Sequence, residues 1–389
     1  MMSGQRADRP FIIDGVAHGY DFGVDNRADG VTIAQIERFG RFVHQMGHMA
    51  TESRKAGYCL TYEEFVARWD PEDLAHALFV ESGVDMAVYH AVEISHYYKD
   101  GVSRLDTGLK MKALAPDRVL VYGYVDTFGD KSRAFDQMEK GAEQGVSGFK
   151  FYPSNGFYDR DANRLVTMFY DTPDHAYKYF EKAQSLSVKH LAFHKAQPVG
   201  PGPTGAVAVE DVSTAAMAFP DLTFEIVHDG WAFLEQAALQ LKLHSNIYAN
   251  LECVDNLIVR APRRFAQILG TLLDMNAEDR LLFATGCAVN HPTPIIDAFM
   301  DFEMPIDLVE GFGYRQLTPE LKAKILGGNM ARLHGVDIES VKQKIKNDRW
   351  SQARAQYVAQ GSGLPWAAHR ARLAGRGARA HETGIGIVG

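Results

Sequence analysis

The chain has very little cysteine, with three residues among 389, at Cys59, Cys253 and Cys287. Three scattered thiols cannot build a disulfide framework, and none of them forms the C-x-x-C spacing of a zinc knuckle. The chain also lacks an apolar run of transmembrane length, and its first residues lack the apolar core of a signal peptide. We therefore predict a cytoplasmic protein that does not enter a membrane.

An excess of positive charge is also absent. Lysine and arginine number 41 against 49 aspartate and glutamate residues, so the formal net charge is -8. This balance disfavours binding to nucleic acid or to an anionic membrane surface. Hydrophobic residues make up 46% of the chain, which is enough to bury one large core or two ordinary ones. The expected partner is a small-molecule substrate.

Strand-like segments are abundant and alternate with helical ones. Segments 135–144, 175–186 and 233–244 have helical periodicity. Strict alternation without hairpin signals indicates a parallel sheet, and eight such units favour an α/β fold of the (β/α)8 TIM-barrel type. An open doubly wound sheet is the alternative, but the first strand is not followed by its usual glycine-rich phosphate loop. The eight predicted strands are residues 11–18, 84–92, 118–126, 145–153, 188–195, 222–229, 246–253 and 280–287.

Two segments fall outside this repeat. Residues 40–70 form a long insertion between the first two strands, which in a barrel would cover the catalytic mouth as a lid or form a subunit contact. Residues 351–389 are rich in alanine, glycine and arginine. We predict a barrel over residues 1–350 and a tail over 351–389 that acts as a mobile arm or as a clasp in a homo-oligomer.

Ionisable side chains stand where the predicted strands end. In a barrel of this type the carboxyl ends of the strands build the active site. A single histidine there is commonly a hydrogen-bonded structural residue, but four from different strands indicate a metal or acid–base site. The residues at the ends of the first, second, fourth, fifth, sixth and seventh strands are His18, His90, Lys150 with Tyr152, His194, His228 and Glu252.

Lys150 faces the barrel interior in this pattern, on the same side of its strand as Tyr152. A buried lysine needs a negative partner, so it either forms an ion pair with Asp126 or Glu252 or binds an anionic group of the substrate. Glu252 is alternatively a metal ligand or a general base. Cys287, after the eighth strand, is expected to be a small buried residue.

Six ordered motifs resemble those of the amidohydrolase superfamily, in the branch that includes aminocarboxymuconate semialdehyde decarboxylase. The resemblance extends over about residues 10–335. The motifs are IIDGVAH in the first strand, GFKFYP in the fourth, LAFH in the fifth, FEIVHDG in the sixth, RLLFATG in the eighth, and ILGGNMARLHG in the closing helix.

This resemblance implies a metal site in which His18 and His194 are ligands and His228 is a catalytic or substrate-orienting base. Val16 and Gly286 stand where the family has a further histidine and an aspartate. The resemblance thus predicts a rebuilt site on His18, His194 and His228, with His291 as a spare ligand. A divalent metal is expected, zinc before manganese. The alternative is a metal-free site in which the histidines bind a carboxylate.

The resulting functional prediction is a metal-dependent hydrolase of a small carboxylated amide, lactone or ring compound. His228, Lys150 and Glu252 are its predicted catalytic residues, and Lys150, Tyr152 and His90 its predicted substrate-binding residues. The alternatives are a non-oxidative decarboxylase or hydratase, with His228 as proton donor, and a non-catalytic barrel.

Overall fold

The computed structural model describes residues 9–51, 56–154, 158–159, 164–198 and 203–382. The predicted strand segments all contain strands, and a short antiparallel hairpin, β5 with β6, follows the fourth of them. The strands are β1 Ile13–Ala17, β2 Met86–His90, β3 Val119–Tyr124, β4 Gly148–Phe151, β5 Tyr158–Asp159, β6 Arg164–Leu165, β7 His190–His194, β8 Thr223–Val227, β9 Ile247–Asn250 and β10 Leu281–Leu282.

Eight of these strands form one parallel sheet in the order β1-β2-β3-β4-β7-β8-β9-β10. The sheet closes on itself, because Ala17 forms a parallel bridge with Cys287 and the Gly15 N–H donates to the Phe283 carbonyl at 2.9 Å. Neighbours in this sheet are consecutive along the chain apart from the hairpin, as helical crossovers between parallel strands require. The predicted TIM barrel is confirmed.

Helices cover the outside of the barrel. Several begin at a side chain that accepts a main-chain N–H of the first turn, such as Thr61, Asp130 and Asp337. None of the helices in the described ranges is long and apolar enough for a bilayer crossing. The helices are α1 Ile33–Thr51, α2 Tyr62–Val66, α3 Pro71–Ala75, α4 Leu105–Leu114, α5 Lys131–Glu143, α6 Ala176–Ser185, α7 Glu210–Ala218, α8 Leu234–Leu243, α9 Leu257–Arg260, α10 Pro262–Asp274, α11 Pro292–Met300, α12 Ile306–Phe312, α13 Pro319–Ala323, α14 Asn329–Leu333, α15 Ile338–Ile345, α16 Arg349–Ala359 and α17 Ala367–Glu382.

The insertion after β1 lies over the carboxyl ends of the strands, as expected for a lid. The predicted residues 40–70 take in most of α1 and all of α2, whereas α3 begins after them, at Pro71. One face of α1 forms the roof of a cavity through apolar side chains, which are Phe39, Phe42, Val43 and Met46. The lid is therefore part of the cavity wall.

The described part of the C-terminal tail packs against the rest of the chain. The predicted limit at residue 350 falls inside α16, so no boundary separates an arm there. Trp366 is 1% exposed and its indole N–H donates to the Tyr58 carbonyl at 2.8 Å. The His369 ring stacks on Trp69 with centroids 3.9 Å apart. The tail thus contacts the insertion through residues 366–372, and residues 383–389 lie outside the described ranges.

Candidate active site

A cavity of about 320 Å³ opens at the carboxyl ends of the barrel strands. Side chains from five strand ends form its polar floor, and mostly apolar residues form its walls. The floor is polar because the end of each strand leaves the packed barrel interior, where apolar side chains interdigitate. The floor residues are His18 after β1, Tyr152 after β4, His194 at the end of β7, His228 after β8 and Glu252 after β9.

His194 and His228 are in direct contact. The Nδ1 atom of His194 lies 3.1 Å from Nε2 of His228, and the other nitrogen of His194 lies 2.9 Å from the Gln197 carbonyl oxygen. Tyr152 stacks on the His194 ring with centroids 4.6 Å apart. These contacts fix the orientation of both imidazoles. Burial lowers the pKa of His194 and of His228 well below the ordinary value, so both rings are neutral.

The second nitrogen of His228 faces Glu252. His228 Nδ1 lies 3.5 Å from Glu252 Oε2 and makes no hydrogen bond. Burial raises the pKa of Glu252 to about 7, although the Lys150 ammonium opposes that rise. A neutral imidazole beside a carboxyl group that ionises near neutral pH is suited to proton transfer.

His18 lies at the side of this pair. Its Nδ1 is 2.9 Å from the His90 carbonyl oxygen, which leaves Nε2 to face elsewhere. Burial lowers the pKa of His18 to about 3. Among the described residues, His18 and His194 do not belong to the compact set of donor atoms that could hold a metal ion.

Lys150 and His90 do not line the cavity, in contrast to the predicted substrate contacts. Both are buried in the barrel interior. His90 stacks on Tyr122 with centroids 4.6 Å apart. Burial lowers the pKa of Lys150 to about 8, while Glu252 and Glu225 favour its charged form. The lysine therefore balances buried carboxylates below the cavity, which is the structural role considered for it from the sequence.

His291 is remote from this group. Its Nε2 lies 2.8 Å from a Glu81 carboxylate oxygen, and its Nδ1 accepts the Thr293 N–H at 3.3 Å. The ring also packs against Tyr58 and Trp366. Both ring nitrogens are engaged under the tail, so the spare metal ligand predicted from the sequence is not available to the cavity.

Among the described residues, one compact set of histidine, cysteine and carboxylate donors fits a metal ion. It consists of His228, Glu252 and Cys253, whose donor atoms lie within 4.8 Å of one another. The unpartnered His228 Nδ1 is a buried ring nitrogen of the kind that ligates metals. A divalent ion therefore fits at the ends of β8 and β9.

Two candidate functional residues were not predicted from the sequence. Arg260, at the end of α9, is an exposed cation in the cavity lining, and Cys253 lines the cavity beside Glu252. The position of Cys253 directly after a strand-end glutamate was a usable signal. Arg260 lies eight residues beyond Glu252, and no strand-end pattern marks it.

A family model described as amidohydrolase matches residues 62–336, more than half of the chain. No curated protein matches the chain. Solved structures resemble it over most of its length, at identities that support a shared fold.

An uncharacterised TIM-barrel protein from Bordetella bronchiseptica has a TM-score of 0.58 and 17% identity, over 84% of this chain and 98% of its own. The 5-carboxyvanillate decarboxylase of Novosphingobium aromaticivorans, solved with manganese and a nitrobenzoic acid, has a TM-score of 0.53 and 13% identity, covering 86% and 99%. A probable 2-pyrone-4,6-dicarboxylic acid hydrolase from Acinetobacter baumannii, with citric acid bound, has a TM-score of 0.50 and 13% identity, covering 84% and 99%.

Proposed function

Since this chain belongs to the amidohydrolase family, we propose that it is a metal-dependent hydrolase of a small carboxylated amide, lactone or ring compound. The observation that carries this proposal is the contact between His228 and Glu252 at the floor of the cavity. A neutral imidazole and a carboxyl group at 3.5 Å can take a proton from water and return it to a leaving group.

The cavity supports a substrate of one or two rings. Its volume of about 320 Å³ is at the lower end of the range of small-molecule sites, which is roughly 300–1,000 Å³. Tyr20, Phe39 and Trp231 offer flat apolar surfaces, and Arg260 offers a cation at the opening. Planar apolar walls with one cation suit a ring that carries a carboxylate.

The residues of this chain would then divide the reaction as follows. Arg260 holds the substrate carboxylate, and the aromatic walls hold the ring and exclude water. Glu252 takes a proton from the attacking water, and the His228 ring, held by His194, orients that carboxyl group. A divalent ion at this floor, zinc rather than manganese, would polarise the reacting carbonyl group and lower the pKa of water.

The test is turnover of a panel of carboxylated aryl amides, lactones and cyclic imides, with His228→Asn as the key variant. Asparagine keeps a hydrogen-bonding edge but cannot hold the Glu252 carboxyl group as the imidazole does. We expect kcat to fall by roughly two to four orders of magnitude, the usual contribution of acid–base catalysis, with a much smaller change in ligand affinity. Equal losses of turnover and of affinity would show that His228 only holds the ligand. A wild-type chain inactive on the whole panel would contradict the hydrolase proposal.

Decarboxylation of an aromatic acid is the second candidate, favoured by the apolar walls of the cavity. An apolar environment destabilises a carboxylate relative to the less charged transition state for loss of CO₂. His228 would then protonate the ring carbon. Product analysis separates the two reactions, because a decarboxylase releases CO₂ from aromatic acids and leaves amides and lactones intact.

A further inference from the structure

Gln197, His194, His228 and Glu252 form a row of groups joined by three polar contacts. The two imidazoles do not have enough N–H protons to form a hydrogen bond in each of these contacts. Gln197 supplies a carbonyl oxygen at one end and Glu252 supplies a carboxyl group at the other. The three contacts are 2.9, 3.1 and 3.5 Å long. Two imidazoles with one N–H each supply two protons to three contacts, so one contact is left without an imidazole proton.

The contact between His228 and Glu252 is the one that lacks a proton. The first two distances are those of hydrogen bonds, so His194 donates to the Gln197 carbonyl and His228 Nε2 donates to His194 Nδ1. His228 Nδ1 then carries a lone pair that faces the Glu252 carboxyl group without a hydrogen bond, and the main chain of Glu252 close to the ring favours its protonated form. Two acceptors that face each other in a buried site repel unless a cation lies between them.

A sulfur atom completes this group. The Cys253 Sγ, a ring nitrogen of His228 and a Glu252 oxygen lie within 4.8 Å of one another. Donor atoms on one tetrahedral zinc ion are roughly 3 to 4 Å apart, so small side-chain rotations bring the three together. His228 and Cys253 also have positive φ angles of 71° and 65°. Such strained non-glycine backbone is concentrated at functional sites.

Gly286 explains why the carboxylate comes from β9. The resemblance predicts an aspartate at this position, but a Cβ atom there would overlap Glu252 Oε1 and lie 3.2 Å from the Glu252 Cγ and Cδ atoms. The carboxyl group of Glu252 thus occupies the space that a side chain at residue 286 would need. The glycine and the glutamate are complementary in space, and the carboxylate comes from the end of β9 instead of the end of β10.

We propose that His228, Glu252 and Cys253 bind one zinc-class divalent ion, with Glu252 in place of the carboxylate expected at residue 286. This inference rests on the proposed metal-dependent function and specifies its ion site. All three residues line the cavity, so a fourth position is open to water or substrate. The thiolate ligand favours zinc and cobalt(II) over manganese.

Binding of the metal alone tests this site without any substrate. We expect the full-length protein, stripped with a chelator, to bind one Zn²⁺ per chain by calorimetry. Its Co²⁺ form should show near-ultraviolet thiolate-to-cobalt charge-transfer absorption. Cys253→Ser should abolish that absorption, whereas Cys59→Ser, the matched thiol control, should retain it. Circular dichroism melting of each variant checks that it folds.

Two variants locate the ion. Glu252→Gln should weaken Zn²⁺ binding by more than the roughly 10- to 100-fold that loss of a group merely supporting a ligand costs. Combining Glu252→Ser with Gly286→Asp should recover most of that affinity, because aspartate tolerates positive φ and the space is then vacant. His18→Asn should leave the affinity within about threefold of the wild type, since His18 is no ligand of this site.

Three outcomes would overturn the proposal. They are no Zn²⁺ binding by the folded wild type, unchanged binding in Cys253→Ser and Glu252→Gln, and a loss in His18→Asn as large as in Glu252→Gln. The last result would assign the ion to the histidine set instead. A chain that binds no zinc yet hydrolyses its substrate overturns only this ion site. One that binds zinc at these residues and turns nothing over contradicts only the hydrolase.

Discussion

Two cationic side chains near the cavity, Lys150 and Arg260, differ in whether they can contact a substrate. Lys150 is 2% exposed and balances Glu225 and Glu252 inside the barrel, whereas Arg260 lines the cavity opening. A charge that is buried beside carboxylates has little remaining capacity for a substrate anion, because its field is already compensated. We therefore assign anion binding to Arg260 and charge balance to Lys150.

Arg260→Met separates these roles kinetically. Losing a charge-assisted hydrogen bond at an exposed opening costs about 1.5 kcal/mol, so the KM of a carboxylated substrate should rise roughly tenfold while kcat changes little. Substrate analogues without the carboxylate should show no difference between the variant and the wild type. If Lys150→Met raised KM more than Arg260→Met, the lysine would be the anchor after all.

Lys150→Met should instead destabilise the fold. Removing the ammonium leaves buried carboxylates uncompensated, and breaking a buried charge arrangement costs roughly 3 to 5 kcal/mol. The Glu225 carboxylate accepts from Asn250 at 2.6 Å and from Tyr122 at 3.2 Å. Adding Glu225→Gln should restore part of the lost free energy of unfolding in urea titrations. No difference between the single and double variants would mean that Lys150 and Glu225 are not coupled.

At the scale of elements, the tail and the segment that leads into β2 stabilise each other through Glu81. The Glu81 carboxylate accepts the main-chain N–H groups of Trp366 and Ala367 and contacts the rings of His291 and His76. These hydrogen bonds hold the pKa of Glu81 at about 2, despite the opposing effect of burial. The tail therefore supplies hydrogen bonds to a carboxylate that is buried in the segment leading into β2.

Trp366 provides a graded test of this packing. Trp366→Ala removes a buried indole and should lower the free energy of unfolding by roughly 3 to 5 kcal/mol. Trp366→Phe keeps most of the ring but loses the hydrogen bond to the Tyr58 carbonyl, so its cost should be about 1 kcal/mol. Chemical denaturation measures both. Equal, small effects would show that the tail does not stabilise the fold.

At the scale of the whole molecule, buried neutral histidines make the fold sensitive to acid. At the amino ends of the strands His190 and His334 lie with ring centroids 4.4 Å apart, and His334 Nε2 is 2.8 Å from the Tyr122 hydroxyl. Burial lowers the pKa of His190 to about 4 and that of His334 to about 3, with smaller contributions from Lys189 at His190 and from the neighbouring His190 ring at His334. These rings stay neutral in the folded state at pH values at which they are protonated in the unfolded chain.

His334→Gln tests the size of this effect. Because the folded pKa of His334 is lowered, its contribution to stability is complete above pH 6.5 and is lost as the pH falls toward 3. At pH 5 the wild type should have lost roughly 2 kcal/mol through this residue. Glutamine can still hydrogen-bond with the Tyr122 hydroxyl but does not titrate, so the variant should lose less between pH 8 and 5. Parallel stability profiles of the two proteins would contradict a neutral buried His334.

The sequence by itself determined the architecture. Each of the eight strand segments that it marks contains a barrel strand. Segments 175–186 and 233–244 contain α6 and α8, and segment 135–144 covers most of α5, which begins four residues earlier. Apolar periodicity is a local property, and alternation of strands and helices restricts the topology to very few folds. The same strand ends pointed to His18, Tyr152, His194, His228 and Glu252, which meet at the cavity floor.

Only the tertiary structure decided what each polar side chain faces. The depth of Lys150 below the cavity, the engagement of His291 by Glu81 and the approach of Arg260 from α9 all depend on distances between remote segments. Gly286 shows the reason most directly. In the sequence, the glycine at this position indicates that an expected carboxylate is missing. In the structure, the absence of a side chain leaves room for the Glu252 carboxyl group, because neighbouring strand ends share one volume.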